Sequence, residues 1–242
     1  MVACIKTTDK KYVNAVYTYT YQWNKLDTGL SLNKYSDVFL KKFNDEIENF
    51  KKLDASKNPE SGLIIFTGSS SIRKWKTLEN DMYPIKVLNR AIGGAEFPHI
   101  LYNCNALIFA YKPRSVVIYC GENDLGNSNL NPSNVKTLFH QFQSGCKQIF
   151  PDIKIVFISI KPSPARKRIS KKICLTNALL KKYCEQSNNL FFIDIESFMV
   201  DDGYIPIPEM FTTDSLHLST KGYEVWAQVI KRDLQIFLKN YE

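Results

Sequence analysis

Asp214 and His217 lie three residues apart in Phe211-Thr212-Thr213-Asp214-Ser215-Leu216-His217-Leu218-Ser219 and form the pair best suited to moving a proton. One turn brings a carboxylate against an imidazole at that spacing. A carboxylate on one ring nitrogen then orients the other nitrogen as a general base near neutral pH. His99 falls at an expected helix start and His140 on a helix face with Phe139 and Phe142, so both read as structural or surface histidines. A base of this kind implies a nucleophile. Gly68-Ser69-Ser70-Ser71 offers hydroxyls directly after an apolar run at 63–66 and before Ile72, Trp75 and Leu78, which recur at helical spacing. A helix start has unpaired N–H groups and a positive dipole end, both useful where attack creates an oxyanion. Serines at such a turn also cap helices, so the stretch alone leaves both readings open. Two further loops carry donors. Adjacent Gly93 and Gly94, in Asn89-Arg90-Ala91-Ile92-Gly93-Gly94-Ala95, let backbone N–H groups approach a ligand closely. In Gly121-Glu122-Asn123-Asp124, the Asn123 amide is suited to donating to a developing negative charge. Their plainer counterparts are a strand-to-helix turn and an Asx-turn or helix cap.

These loops need elements to hold them. Short apolar runs predict strands over 63–66, 85–88, 116–120, 153–160 and 190–195, and helical patterns fill the gaps at 72–78, 98–110, 132–150, 169–184 and 220–238. Continuous apolar strands alternating with helices indicate a parallel sheet covered on both faces, with sites at the carboxyl ends of the strands. The expected fold is an α/β/α sandwich with a five-stranded parallel sheet. Upstream, Tyr17, Tyr19, Tyr21 and Trp23 alternate with polar residues within 12–23, a strand-like period suited to an edge strand, an arm on a partner subunit or part of a substrate rim. Ser36 is placed to cap a helix over 37–53 whose Phe39, Phe43, Ile47 and Phe50 form one apolar stripe, read as core packing. Asn58-Pro59-Glu60-Ser61-Gly62 is a turn cluster, so residues 1–60 read as an N-terminal extension and 61–242 as the main domain.

With 242 residues, 44% of them hydrophobic and 13% aromatic, the chain has enough apolar material for one sizeable core. No apolar run reaches membrane-spanning length, and the first residues lack the apolar region of a secretory signal, so a cytoplasmic protein is expected, with leaderless export still compatible. The six cysteines form no CxxC pair and no His/Cys cluster, which suits reduced thiols and gives no support to a zinc site. The formal net charge of +8 is uneven: from Lys161 to Lys182 there are eight basic residues and no acid. A solvated helix face is the plain reading of that run, and weak contact with an anionic surface is the functional one. No aromatic RNA-binding signature or finger spacing accompanies it, so nucleic acid is not expected as a partner. The chain lacks GxSxG, GxGxxG and GxxxxGK[ST], which argues against an α/β-hydrolase elbow, a dinucleotide site and a P-loop.

Taken together, the four loops resemble the SGNH, or GDSL-type, serine hydrolase family. Gly68-Ser69-Ser70 with Ile72 is similar to its first block, Gly93-Gly94 to the second, Gly121-Glu122-Asn123-Asp124 to the third and Asp214-Ser215-Leu216-His217 to the last. The likeness spans about residues 60 to 240 and is greatest to a bacterial group carrying GSSSIR-x-W and ISIKPSPAR stretches. It implies the flavodoxin-like SGNH fold, with Ser70 as nucleophile, His217 as general base and then acid, and Asp214 holding His217. It also implies an oxyanion hole made by the backbone N–H groups of Ser70 and Gly94 and the amide of Asn123, with no metal or other cofactor. Ser69 stands where the family more often has Asp, which leaves Ser69 and Ser71 as rival registers, although the Gly-x-Ser spacing favours Ser70. Ala91 and Ala95 also depart from the usual pattern, at positions that supply no catalytic atom.

The activity implied is release of short, acetyl-like acyl groups from a small-molecule, carbohydrate or lipid ester through an acyl-enzyme. The alternatives are an acyltransferase using the same intermediate, or a non-catalytic binding module on the same fold. Arg90 and Arg166 are candidates to clamp an anionic substrate group, and Phe211, with Tyr204, Ile205, Ile207 and Met210, to line an acyl pocket. A homo-oligomer is compatible with the chain.

Overall fold

The computed structural model describes residues 32–57 and 59–239. The alternating aromatic segment at 12–23, Cys4 and Asn58 of the turn cluster lie outside the described residues. Five parallel strands, β1 (Ile64–Gly68), β2 (Val87–Asn89), β3 (Ser115–Tyr119), β4 (Lys154–Ile158) and β5 (Leu190–Ile193), form one sheet in the order β2-β1-β3-β4-β5. Because successive side chains point to opposite faces, the largely apolar strands feed two cores. Ile65, Val116, Ile118, Ile155 and Phe157 pack one face, while Ile64, Phe66, Val117, Tyr119, Val156 and Ile158 pack the other.

Helices α1 (Asp37–Leu40), α2 (Asn44–Lys57), α5 (Phe97–Tyr102), α6 (Cys104–Leu107), α8 (Pro132–Ile149) and α9 (Ser170–Cys184) contribute to the first core. The second is covered by α3 (Ser70–Arg73), α4 (Leu78–Met82) and α10 (Thr220–Lys239). A one-turn helix, α7 (Glu122–Gly126), follows β3. In α10, Trp226, Val229, Ile230, Leu234 and Phe237 recur on one face, and each fully buried side chain of this size contributes about 1.5–3 kcal/mol. The expected three-layer α/β/α sandwich is the observed one.

Several expected helices are broken where local bonding competes with the helix. The helix expected over 98–110 divides at Asn103, whose Nδ2 donates to the His99 carbonyl oxygen. Ser36 does cap α1, accepting from Phe39 N–H at 3.2 Å, but the helix ends at Leu40 and restarts at Asn44. The run expected at 72–78 becomes α3 and α4, separated by a turn in which Trp75 N–H donates to the Ile72 carbonyl.

The helices upstream of β1 share the main core: Leu40, Ile47 and Phe50 are buried in it, and His99 meets a tilted Phe39 ring and the Phe43 ring edge-on, with centroids 4.1 and 4.9 Å away. His99 is structural. Its Nδ1 accepts from Glu96 N–H at 3.1 Å, its Nε2 pairs with the Phe39 carbonyl at 3.0 Å, and burial pulls its pKa down to about 4. His140 is held by Tyr183, with Nδ1 2.7 Å from the hydroxyl.

Arg90 corrects an expectation. It is not available as a substrate clamp, because its side chain is buried beneath α2, ion-paired with Asp54 and bonded through Nε to Tyr111 Oη at 2.6 Å. Tyr111 also donates to Asp54, and Arg90 Nη1 donates to the Asn89 carbonyl at 2.8 Å. The arginine follows β2 directly, and it lies in the layer between sheet and helix because its charge finds a carboxylate there. Asp54→Ala is expected to cost about 3–5 kcal/mol, measured by urea denaturation, because it strands a buried guanidinium. Activity per folded molecule should be retained, and a loss below 1 kcal/mol would show that the pair is dispensable.

Candidate active site

The site is assembled from the loops that leave the carboxyl ends of β1, β2, β3 and β4 and from the segment before α10. Leaving β1, Gly68 has φ +119°, and a Cβ built on it would meet the Tyr119 carbonyl oxygen at 1.9 Å. Only glycine fits this close crossing. Ser69 N–H donates to the Tyr119 carbonyl at 2.9 Å and Ile92 N–H to the Gly68 carbonyl at 2.9 Å, which ties the turn to both flanking loops. Of the three serines, Ser69 and Ser71 are 2% and 1% exposed, whereas Ser70 is half-buried at the start of α3. Ser69 occupies the N-cap position without a side-chain cap bond.

Ser70 Oγ lies 3.1 Å from His217 Nε2, across 147 residues of sequence. His217 Nδ1 lies 2.5 Å from Asp214 Oδ2. With Nδ1–H directed at the carboxylate, Nε2 is the lone-pair nitrogen that accepts from the serine hydroxyl. The Asp214 carboxylate also organises its own turn: Oδ1 accepts from Leu216 N–H and His217 N–H, each at 2.9 Å, and from Thr212 Oγ1 at 2.8 Å. The His217 hydrogen bond and these donors hold its pKa below the usual carboxylate range, even though the group is exposed. Ser215, at φ +58°, allows the tight turn, and Thr212 N–H closes it on the His217 carbonyl at 2.8 Å. Tyr223 of α10 donates to the Ser71 carbonyl at 2.9 Å, which holds the serine turn against the same segment.

The loops that carry the expected donors are bonded to one another and to the serine turn, the second loop through Ile92 N–H on the Gly68 carbonyl. Asn123 Nδ2 donates to the Ala95 carbonyl at 3.0 Å, joining the third loop to the second. Gly94, at φ +80°, is half-buried, and neither its N–H nor that of Ser70 bonds to another backbone group among the described residues. Gly93 N–H does find a partner: Glu46 Oε2 on α2 accepts it at 3.3 Å, and Oε1 of the same carboxylate pairs with Arg73.

Two basic residues behave differently from their sequence reading. Lys161 does not belong to a solvated face: it is 1% exposed, with Nζ 2.8 Å from Glu122 Oε2 and 3.1 Å from Oε1. Tyr119 Oη donates to that carboxylate at 2.7 Å, and the ammonium sits 5.9 Å from the Phe211 ring centroid. Phe211 itself is buried in the second core, behind the Asp214–His217 turn, so it packs the loop. Of the remaining basic run, Lys167, Arg168, Lys171, Lys181 and Lys182 are exposed. Arg166 donates to Asn123 and Asn127. Sequence reasoning missed the Lys161–Glu122 pair and the contacts of Glu46. The one signal for the first was a lysine directly between an apolar strand and Pro162.

A hydroxyl, an imidazole and a carboxylate linked in series on the carboxyl edge of a parallel sheet can carry out nucleophilic acyl transfer. Residues 61–225 match the model of the GDSL-like lipase/acylhydrolase family. The chain belongs to this family and is a carboxylic ester hydrolase. Among solved structures, a Streptococcus pneumoniae protein described by reference to platelet activating factor aligns with a TM-score of 0.71 at 21% identity, over 81% of this chain and 94% of its own. A GDSL-like lipase from Bacteroides thetaiotaomicron aligns at 0.63 and 22% identity, over 78% and 98%. A family 3 carbohydrate esterase from Clostridium thermocellum aligns at 0.59 and 16%, over 75% and 100%. At these identities the likeness concerns the fold. A search of curated proteins gives no match. No helix among the described residues is long and apolar enough to cross a membrane.

Asp124 lies next to Asn123, is fully buried and accepts from Phe97 N–H at 3.0 Å. Burial, and then the neighbouring Glu96 carboxylate, push its pKa up to about 7; Cys120 and Tyr35 are the other titratable groups beside it. Between about pH 4, where an unfolded aspartate titrates, and pH 7, the folded protein retains a proton that the unfolded chain has released. The group therefore weakens folding as pH rises through that window. Asp124→Asn keeps the acceptor for Phe97 and should gain stability relative to the parent between pH 4.5 and 7.5. The expected gain is on the order of a few kcal/mol by urea denaturation. A difference that does not change with pH would contradict this.

Proposed function

We propose that this ester hydrolase works through a covalent acyl-enzyme on Ser70 and prefers short, acetyl-like acyl groups. The observation that carries the reading is the pair of contacts on His217, with Ser70 Oγ on Nε2 at 3.1 Å and Asp214 on Nδ1 at 2.5 Å. Ser70 Oγ attacks the ester carbonyl carbon while its proton passes to His217 Nε2. The resulting oxyanion is stabilised by the N–H groups of Ser70 and Gly94 and by the Asn123 amide. His217 then gives the proton to the departing alkoxide, leaving the acyl group on Ser70. Water attacks next, losing its proton to His217, and the carboxylic acid leaves as the proton returns to Ser70. Asp214 stays ionised and stabilises the imidazolium, which its lowered pKa favours. Residues 61–242 form the hydrolase domain in this reading, and α2 of the extension packs on it.

Exposure supports the chain-length preference. Ser70, Gly94 and His217 are half-buried, and Asp214 is exposed. A longer acyl chain gains about 0.8 kcal/mol per CH₂ only where it is buried, so a site this open rewards length little. The test is hydrolysis of p-nitrophenyl acetate, butyrate and octanoate. Turnover should be fastest on acetate or butyrate and fall by about 10⁴-fold or more in Ser70→Ala and in His217→Ala. Undiminished turnover in Ser70→Ala would overturn the assignment of the nucleophile, and preference for octanoate would overturn the pocket size. Transfer to an added alcohol in preference to water would make the protein an acyltransferase.

A further inference from the structure

Arg166, expected to bind substrate, extends its side chain to the loop that carries Asn123, and its partners there are protein groups. Nη2 donates to Asn123 Oδ1 at 3.1 Å and to Asn127 Oδ1 at 3.0 Å. The guanidinium lies against the backbone of α7, where a Cβ on Gly126 would come within 2.4 Å of Nη1 and 2.8 Å of Cζ. Glycine at that position makes room for it. One residue earlier, Ala165 N–H donates to the Ser215 carbonyl at 3.0 Å, so the same segment is anchored to the turn that carries Asp214 and His217.

The bonding pattern settles which way the Asn123 amide faces. Its oxygen meets a guanidinium donor and its nitrogen meets the Ala95 carbonyl. Flipping the amide would set donor against donor and acceptor against acceptor, losing both bonds at a buried residue. The nitrogen carries a second hydrogen that neither bond uses. A cation on the amide oxygen also polarises the group and strengthens its N–H as a donor.

We propose that Arg166 is a positioning residue. By holding Asn123 Oδ1, it keeps the amide N–H aimed at the oxyanion that forms on the substrate carbonyl, and it does not bind substrate itself. The proposal rests on the acyl-enzyme reading and names a group that tunes it. Its consequence is a defect confined to the transition state.

The test combines Arg166→Ala and Arg166→Lys with Asn123→Ala in a double-mutant cycle on p-nitrophenyl acetate. Loss of one oxyanion donor costs about 10²–10³ in kcat, so Asn123→Ala should fall in that range. Arg166→Ala should lower kcat by about 10- to 100-fold with KM within about twofold, and Arg166→Lys, which keeps the charge, should recover part of the loss. In the Asn123→Ala background, Arg166→Ala should change kcat by less than about threefold, because the amide it serves is gone. A general structural defect would not disappear in that background. A rise in KM at constant kcat would identify a substrate clamp and overturn the proposal, as would an equal loss in both backgrounds. If Arg166→Ala does not fold, Arg166→Lys is run through the same cycle with the same criteria. No ester turnover in the parent would refute the functional reading and this assignment with it. Turnover in the parent with kcat unchanged in Arg166→Ala would refute only the assignment.

Discussion

The close crossing of Gly68 over the Tyr119 carbonyl is the constraint on which the rest of the site depends. At a built Cβ distance of 1.9 Å and φ +119°, no other residue type fits without moving β1 away from β3. That contact ends β1 abruptly and puts Ser69 N–H on the same carbonyl. The chain then turns so that the first residue of α3 presents its hydroxyl while its two serine neighbours are buried. Because β1 and β3 pair in register from Ile64↔Ser115 to Gly68↔Tyr119, the position of the hydroxyl is set by the rigid centre of the sheet.

A buried polar layer beneath the site links the same strand ends. Tyr119 at the end of β3, Glu122 at the start of α7 and Lys161 beyond β4 form a connected set, and the lysine ammonium faces the ring of Phe211. Phe211 bridges to Leu218 on either side of the Asp214–His217 turn. Buried ion pairs seldom add net stability, since desolvation offsets most of the attraction. What this one supplies is a fixed relation between the loop bearing Asn123 and the loop bearing His217. From the other side, Glu46 of α2 takes up the Gly93 N–H and pairs with Arg73, so a helix upstream of the family-matched residues borders the Gly93–Gly94 loop.

Much of this was legible in the chain. The short apolar runs marked the strands because a buried parallel strand has no polar face to obscure it, and glycine closed the first and third of them abruptly. The residues to which we assign the chemistry stood out because each stands near a strand end: Ser70 after β1, Gly94 after β2, Asn123 after β3. Asp214 and His217 could be paired because their spacing is local. Contacts made through long side chains across loops could not be read. Arg90 and Arg166 read as candidate substrate clamps and Lys161 as part of a solvated basic run, and each is committed to a partner at least 36 residues away, a separation that leaves no local pattern. The helix break at Asn103 was hidden for a related reason, since side-chain bonding to the backbone does not disturb the apolar spacing.

The central claim is that Ser70 becomes acylated. The most direct measurement is acid quenching of the enzyme during turnover of p-nitrophenyl acetate, followed by mass spectrometry of the intact chain and of its peptides. One acetyl group per chain, located on Ser70 and absent from Ser70→Ala, is the predicted result. An acetyl group on Ser69 or Ser71, or steady turnover with no acylated chain at any quench time, would contradict the account.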